Sequence, residues 1–287
     1  MTGYEALTSG VGAVPLARDV LRVSGPDAVA FLQGQLSQDI AALGIGASAW
    51  SLVLQPQGKV DAFVRVTRTA ADEVVLDVDG GWGEAVRARL QRFKLRVKAE
   101  MTPLAWRCVA VRGPESSRAR AGASGDLVVP FAWGAFSGFD ILGTDPLVLD
   151  GIVAADGSGY EVCRIEAGVP LMGAELTEKT IPAEAGVVEV SVSFTKGCYT
   201  GQELVARIDS RGGRVPRRLR GLVSDADVEP GAVVEVEGRV VGSVTSAARH
   251  PAGHTVALAY IGRDVEPPVE VRCGGAVASV RALPPVS

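Results

Sequence analysis

The sequence is poor in the residues that most often mark catalytic or metal chemistry. It holds two histidines, four cysteines and three methionines in 287 residues, and 5% of it is aromatic. The histidines, His250 and His254, stand four apart, but Pro251 and Gly253 lie between them, so the segment reads as a turn and not as one helix face. The loop offers them no obvious partner, so neither a metal site nor histidine-based acid–base chemistry is expected. Cys108, Cys163, Cys198 and Cys273 lack zinc-knuckle spacing, and reduced thiols are expected. Excess charge is also missing. Lys and Arg number 29 against 33 Asp and Glu, a formal charge of -4, which argues against a general nucleic-acid coat and leaves no direct nucleic-acid partner expected. No apolar run approaches bilayer length. Met1–Pro15 lacks the charged start and apolar stretch of a secretory signal. The expectation is a cytoplasmic protein with no membrane partner.

What is present is enough for a core. Apolar residues make up 47% and charged residues 22%, and the length suits two or three small domains. Leu21–Gly25 reads as a strand end, and Ser24, Pro26 and Asp27 as a helix start, followed by Val29, Leu32 and Leu36 at helical spacing. Trp50–Leu54 and Lys59–Thr67 are strands around the turn Gln55–Gly58, and Glu73–Val78 is a third. Gly83–Phe93 is an amphipathic helix and Leu95–Met101 a fourth strand. This β-β-β-α-β run predicts an α+β unit with an antiparallel sheet over about 47–103. Trp106–Arg112 starts a new strand, Glu115–Ala121 reads as a helix, and Leu147–Ala154 as a helix or turn. From Leu219 onward, short valine-rich strands separated by Gly and Pro turns predict a β-barrel, with the boundary near Gly212–Pro216. The basic run Arg87–Lys98 reads as the solvated face of its helix and strand.

The segment richest in chemistry is Lys196-Gly197-Cys198-Tyr199-Thr200-Gly201-Gln202-Glu203. Thr200 and Glu203 have capping-box spacing, so a helix should begin just after Thr200 and end at Gly212-Gly213. Cys198 then lies just before a helix N-terminus, with Lys196 and Arg207 adding positive potential, conditions that favour a thiolate. Gly197 and Gly201 allow a tight turn or the close approach of a flat ligand. The plainer reading is a buried packing cysteine, and the local residues leave both open.

The same eight residues resemble the sequence motif of the YgfZ proteins, relatives of mitochondrial iron–sulfur assembly factors and, more distantly, of the glycine-cleavage T-protein. Val23–Ala28, Gln57-Gly58-Lys59, and Arg164–Pro170 followed by Pro182 are similar to further family segments. The resemblance implies an aminomethyltransferase-like three-part ring with a ferredoxin-like unit in residues 1–213 and a C-terminal β-barrel in 214–287. It implies a bound tetrahydrofolate or one-carbon derivative, and iron–sulfur client or assembly proteins as partners, tRNA-modifying enzymes among the clients. Glu166 is the carboxylate expected to read the pterin through its 2-amino and N3 donors. Arg207 either faces the glutamate tail or pairs with Glu203. Tyr199 packs against a ring or fills the core, and Lys196, Gly197, Gly201 and Gln202 line the site. Cys198 is the expected reactive residue, as nucleophile, transient iron ligand or redox thiol.

The alternative is a folate-dependent aminomethyl or methyl transferase. In the T-proteins an aspartate pair follows the hairpin, and its second member works beside the reacting nitrogen. Here that segment reads Val60-Asp61-Ala62-Phe63, and alanine exchanges no proton. Asp61 should point to the opposite strand face.

Overall fold

The computed structural model describes residues 2–148 and 151–284. In chain order it begins with α1 (Gly3–Ser9), β1 (Gly12–Leu16), β2 (Arg18–Ser24), α2 (Ala28–Gln35), β3 (Ser48–Leu54), β4 (Val60–Ala70), β5 (Glu73–Asp79), α3 (Gly83–Phe93) and β6 (Glu100–Leu104). Next come β7 (Arg107–Arg112), a 3-10 segment (Ser116–Gly122), β8 (Leu127–Trp133), β9 (Phe136–Gly143) and β10 (Val153–Ala154). Helices α4 (Gly157–Ala167), α5 (Pro182–Ala185), α6 (Val188–Ser191) and α7 (Gln202–Ser210) follow. The chain closes with β11 (Arg217–Ser224), β12 (Val233–Val236), β13 (Arg239–Arg249), β14 (Thr255–Gly262), β15 (Val269–Cys273) and β16 (Ala276–Arg281).

These strands make three sheets. One has the order β10-β1-β7-β9-β8, the second β3-β4-β5-β2-β6, and the last six strands close into a barrel. The second sheet is antiparallel throughout. It takes β2 between β5 and β6, so the α+β unit expected at about 47–103 draws a strand from outside that range. The β3–β4 hairpin turns at Gly58, whose φ of 79° suits glycine. The expected strand at Leu95–Met101 starts only at Glu100, because Arg96 at φ 58° breaks the extended backbone. The helix expected at Glu115–Ala121 is the 3-10 segment. The helix or turn expected over Leu147–Ala154 includes residues 149 and 150, which lie outside the described residues, and it ends in β10.

The helices and sheets are tied together by apolar burial and by charge. Phe31 and Leu32 of α2 and Val86 and Leu90 of α3 pack into the same core as Leu52, Phe63 and Leu76 of the second sheet. Leu219, Leu258 and Tyr260 bring one side of the barrel into that core. Between the first two sheets runs a buried chain of alternating charge. Arg18 meets Asp77 at 2.6 Å, Asp77 meets Arg65 at 3.0 Å, Arg65 meets Asp140 at 2.6 Å, and Asp140 meets Arg112 at 2.7 Å. A second polar knot joins α4 to the barrel. Buried Glu175 accepts from Thr245 and Ser246 hydroxyls, both at 2.6 Å, and faces Arg164 at 3.4 Å. Among the described residues no helix is long and apolar enough to cross a membrane.

Candidate functional site

A cavity of about 480 Å³ opens between α5, α7 and the start of the barrel. Val205 and Ile208 of α7, Leu219 and Arg220 of β11, and Leu283 supply apolar and cationic wall, and Trp133 of β8 lies against it. Two of its groups are unusual for a buried wall. Trp133 is 2% exposed, and its indole N–H has no partner among the described residues. Glu184 is 4% exposed; its Oε2 accepts from the Ile181 amide at 3.3 Å and the Arg217 Nε at 3.2 Å. No hydrogen bond to its Oε1 occurs among the described residues. The short helix α5 holds Glu184 there because Pro182 occupies the first turn, where a missing N–H costs nothing. A slot with mixed apolar and charged walls, a carboxylate paired to Arg217 through one oxygen and an unpartnered indole donor can take a flat polar heterocycle.

Glu166, the carboxylate expected to read such a ring, does not line this cavity, although Ala167 and Gly168 beside it do. Its Oε2 accepts from the Tyr4 hydroxyl at 3.0 Å, and its Oε1 lies 3.7 Å from His250 Nε2. Helical geometry is the reason: Glu166 and Ala167 are adjacent, and so point about 100° apart around α4. Glu184 is the carboxylate that does line the cavity, and it is not among the site residues read from the sequence. Its signal was local, a Pro-x-Glu at a helix start, which reads as capping before it reads as recognition.

The motif folds as a docking element. The Lys196 ammonium donates to the carbonyls of Gln33, Leu36 and Gln38 at 2.6, 2.6 and 2.8 Å, closing the C-terminus of α2. Burial pulls its pKa down to about 8, against the opposing pull of Asp39. Its charge is therefore directed into α2 and not toward Cys198. Gly201, at φ 84°, sits where a Cβ would lie 2.5 Å from the Gln55 carbonyl, and a Cβ on Gly58 would lie 2.5 Å from Leu204. The close approach is thus of the β3–β4 hairpin, not of a flat ligand. Gly197 has open space around it. The capping box expected at Thr200 does not form: Gly201 is the cap residue of α7 with no side-chain cap bond. Gln202 instead accepts from the Tyr199 amide at 3.1 Å. Tyr199 is half-buried beneath the Lys196 ammonium, 5.1 Å from its ring centre, and burial raises its phenol to about 12.

Arg207 and Glu203 are both exposed, and no ion pair joins them among the described residues. With Arg211 and Arg214 it borders a shallow groove that shares Ile208 with the cavity. Cys198 is exposed, whereas Cys108, Cys163 and Cys273 are buried. Burial pushes Cys163 up to about 12 and Cys273 up to about 11, and raises Cys108 further still. On β4, Ala62 lies in the core while Asp61 faces α3, where its Oδ2 meets Arg89 Nε at 2.9 Å.

The GCVT N-terminal domain matches residues 17–148, and the glycine cleavage T-protein C-terminal barrel domain matches 217–286. An uncharacterized protein of Haemophilus influenzae is 27% identical over 79% of this chain and 81% of its own length. An aminomethyltransferase of Streptomyces avermitilis is 26% identical over 84% of this chain and 75% of its own. The iron-sulfur cluster assembly factor IBA57 homolog, mitochondrial, of Mycosarcoma maydis is 29% identical over 68% of this chain and 53% of its own. The crystal structure of glycine cleavage system aminomethyltransferase T from Bartonella henselae superposes with a TM-score of 0.85 at 22% identity, covering 98% of this chain and 88% of that one. Two domain matches that together span most of the chain, and one shared architecture, make this protein a member of the superfamily built on the aminomethyltransferase fold.

Proposed function

We propose that this protein binds tetrahydrofolate or a one-carbon derivative and, as a YgfZ-type factor, supports assembly or repair of iron–sulfur clusters in client enzymes. In this reading the clients include tRNA-modifying enzymes and the setting is the cytoplasm. Residues 1–213 hold the ligand and 214–287 close the site. The observation that carries the proposal is the cavity wall at Glu184. Its nearly buried carboxylate is held by Arg217 and the Ile181 amide through Oε2, and its Oε1, with no partner among the described residues, offers a free acceptor to a pterin N–H donor. Trp133 offers a face and an indole donor to the same ring. Two relatives support the two halves of the idea, one named as an aminomethyltransferase and one as an iron–sulfur assembly factor. Cys198 is the reactive group of this proposal, being the exposed thiol of the four.

Folate-dependent aminomethyl transfer is the second reading, favoured by the names of several relatives. Against it stand Ala62, buried in the core, and Asp61, held by Arg89. No folate-dependent ammonia release from aminomethylated carrier protein is therefore expected.

The test is a titration with tetrahydrofolate followed by tryptophan fluorescence, to which Trp133 contributes as one of four tryptophans. Saturable binding is expected, weakened about tenfold or more in Glu184→Gln, since a hydrogen bond to a charged group contributes about 1.5–3 kcal/mol. Glu166→Gln should bind as the parent does. Cys198→Ala should keep the affinity and lose rescue of an iron–sulfur-defective strain. Equal affinity in Glu184→Gln would remove the pocket assignment, and full rescue by Cys198→Ala would remove the thiol role.

A further inference from the structure

The fold brings Glu166 to a pair of histidines, His250 and His254, that begins 84 residues further along the chain. Glu166 closes α4, while His250 and His254 bracket the turn between β13 and β14. One ligating atom from each lies within 4.8 Å of the other two. We propose that Glu166, His250 and His254 form a binding site for a divalent ion of the zinc class, one that clasps the barrel to α4.

The donor set is a carboxylate and two imidazoles, which suits a borderline ion such as zinc or cobalt and not the oxygen-seeking magnesium. The 3.7 Å between His250 Nε2 and Glu166 Oε1 is too long for a hydrogen bond. It is close to the spacing of about 3.4 Å that bonds of about 2.0–2.2 Å impose on neighbouring ligands in a tetrahedral site. The carboxylate is already oriented from behind, because the Tyr4 hydroxyl donates to Oε2 at 3.0 Å and leaves Oε1 toward the histidines. An outer hydrogen bond of this kind is what fixes a ligating carboxylate. Tyr4 also meets the His250 ring edge-on at 4.7 Å.

The ring geometry dictates how the ion enters. His250 and His254 are stacked, with centroids 4.2 Å apart and planes 15° from parallel. An ion lies near the plane of each imidazole that binds it, so one ion cannot serve both rings while they remain stacked. His254, whose side chain makes no hydrogen bond among the described residues, swings out and closes on the ion. His250 Nδ1 accepts from the Ala252 amide at 3.0 Å, which places the neutral ring's proton on Nε2. Binding through Nε2 moves that proton to Nδ1 and releases the Ala252 amide to water. Because Ala167 and Gly168 line the cavity, an ion at Glu166 also pins that wall against the barrel.

The experiment is a calorimetric titration of the full chain with zinc chloride, without folate, in a Cys198→Ser background that removes the exposed thiol. One ion per chain is expected. His254→Ala and Glu166→Gln should each weaken it at least tenfold, with unchanged circular dichroism before metal is added. His254→Gln stands in if the alanine variant does not fold. Cobalt should give a visible d–d band that His254→Ala abolishes, and magnesium should give no heat. Absence of saturable zinc binding, or zinc binding unaltered in the His254 variants, would overturn the site. Neither result depends on whether the cavity takes folate.

Discussion

Lys196 shows how a single side chain can be misassigned from its neighbours in sequence. It stands two residues from Cys198, yet its ammonium serves three carbonyls at the end of α2. Lys196→Met should therefore cost about 1–3 kcal/mol through lost hydrogen bonds to α2, measured by urea unfolding. It should leave the reaction rate of Cys198 nearly unchanged. Gly201→Ala should cost about 2 kcal/mol or more, because it combines a positive φ with a Cβ contact of 2.5 Å to backbone. Cys198 is open to reagents and its three counterparts are not. A thiol reagent at pH 8 should titrate one sulfur per native chain and four after denaturation. More than one fast equivalent in the folded protein would contradict the burial.

At the scale of elements, the motif and the β3–β4 hairpin form one joint. Gly58 and Gly201 each leave room for the other's segment, so the turn and the helix start are read together or not at all. The barrel has a joint of its own. Glu175, fully buried, holds Thr245 and Ser246 of β13 and faces Arg164 of α4. Glu175→Ala would leave Arg164 with Glu161 alone as a carboxylate partner among the described residues. Removing one member of a buried charged pair costs about 3–5 kcal/mol, and that loss should appear as earlier urea unfolding.

For the whole molecule, the charge chain between the two open sheets sets the response to acid. Burial alone would raise the Asp140 carboxyl, but Arg112 and Arg65 bring it down to about 2, below its ordinary 3.8. A carboxylate so depressed contributes stability above pH 3.8 that is lost as pH falls toward 2. The stability gap between the parent and Asp140→Asn should be widest at neutral pH and shrink across that window. The alkaline side runs the other way. Cys273 is raised by burial from 9.0 to about 11, so its contribution is intact below pH 9 and lost as pH rises to 11. Cys273→Ala should flatten that part of the profile.

The sequence by itself determined most of the local elements and their order, an α+β region followed by a barrel, but not the exact element ends or which strands share a sheet. Strand alternation, Gly and Pro turns and the helix over Gly83–Phe93 follow from short-range sterics and apolar periodicity, and they suffice for an α+β region followed by a barrel. The eight-residue motif was legible as a unit because its residues are contiguous. Which way each side chain faces was decided only by tertiary structure. Glu166 and Glu184 both follow apolar neighbours, and nothing within a few residues of either says which meets the cavity. That depends on the packing of α4 and α5 against a barrel whose first strand begins at Arg217. Lys196 faces α2, and His250 and His254 gain Glu166, for the same reason. These partners lie on other elements, and contacts across such separations exist only once the core has closed.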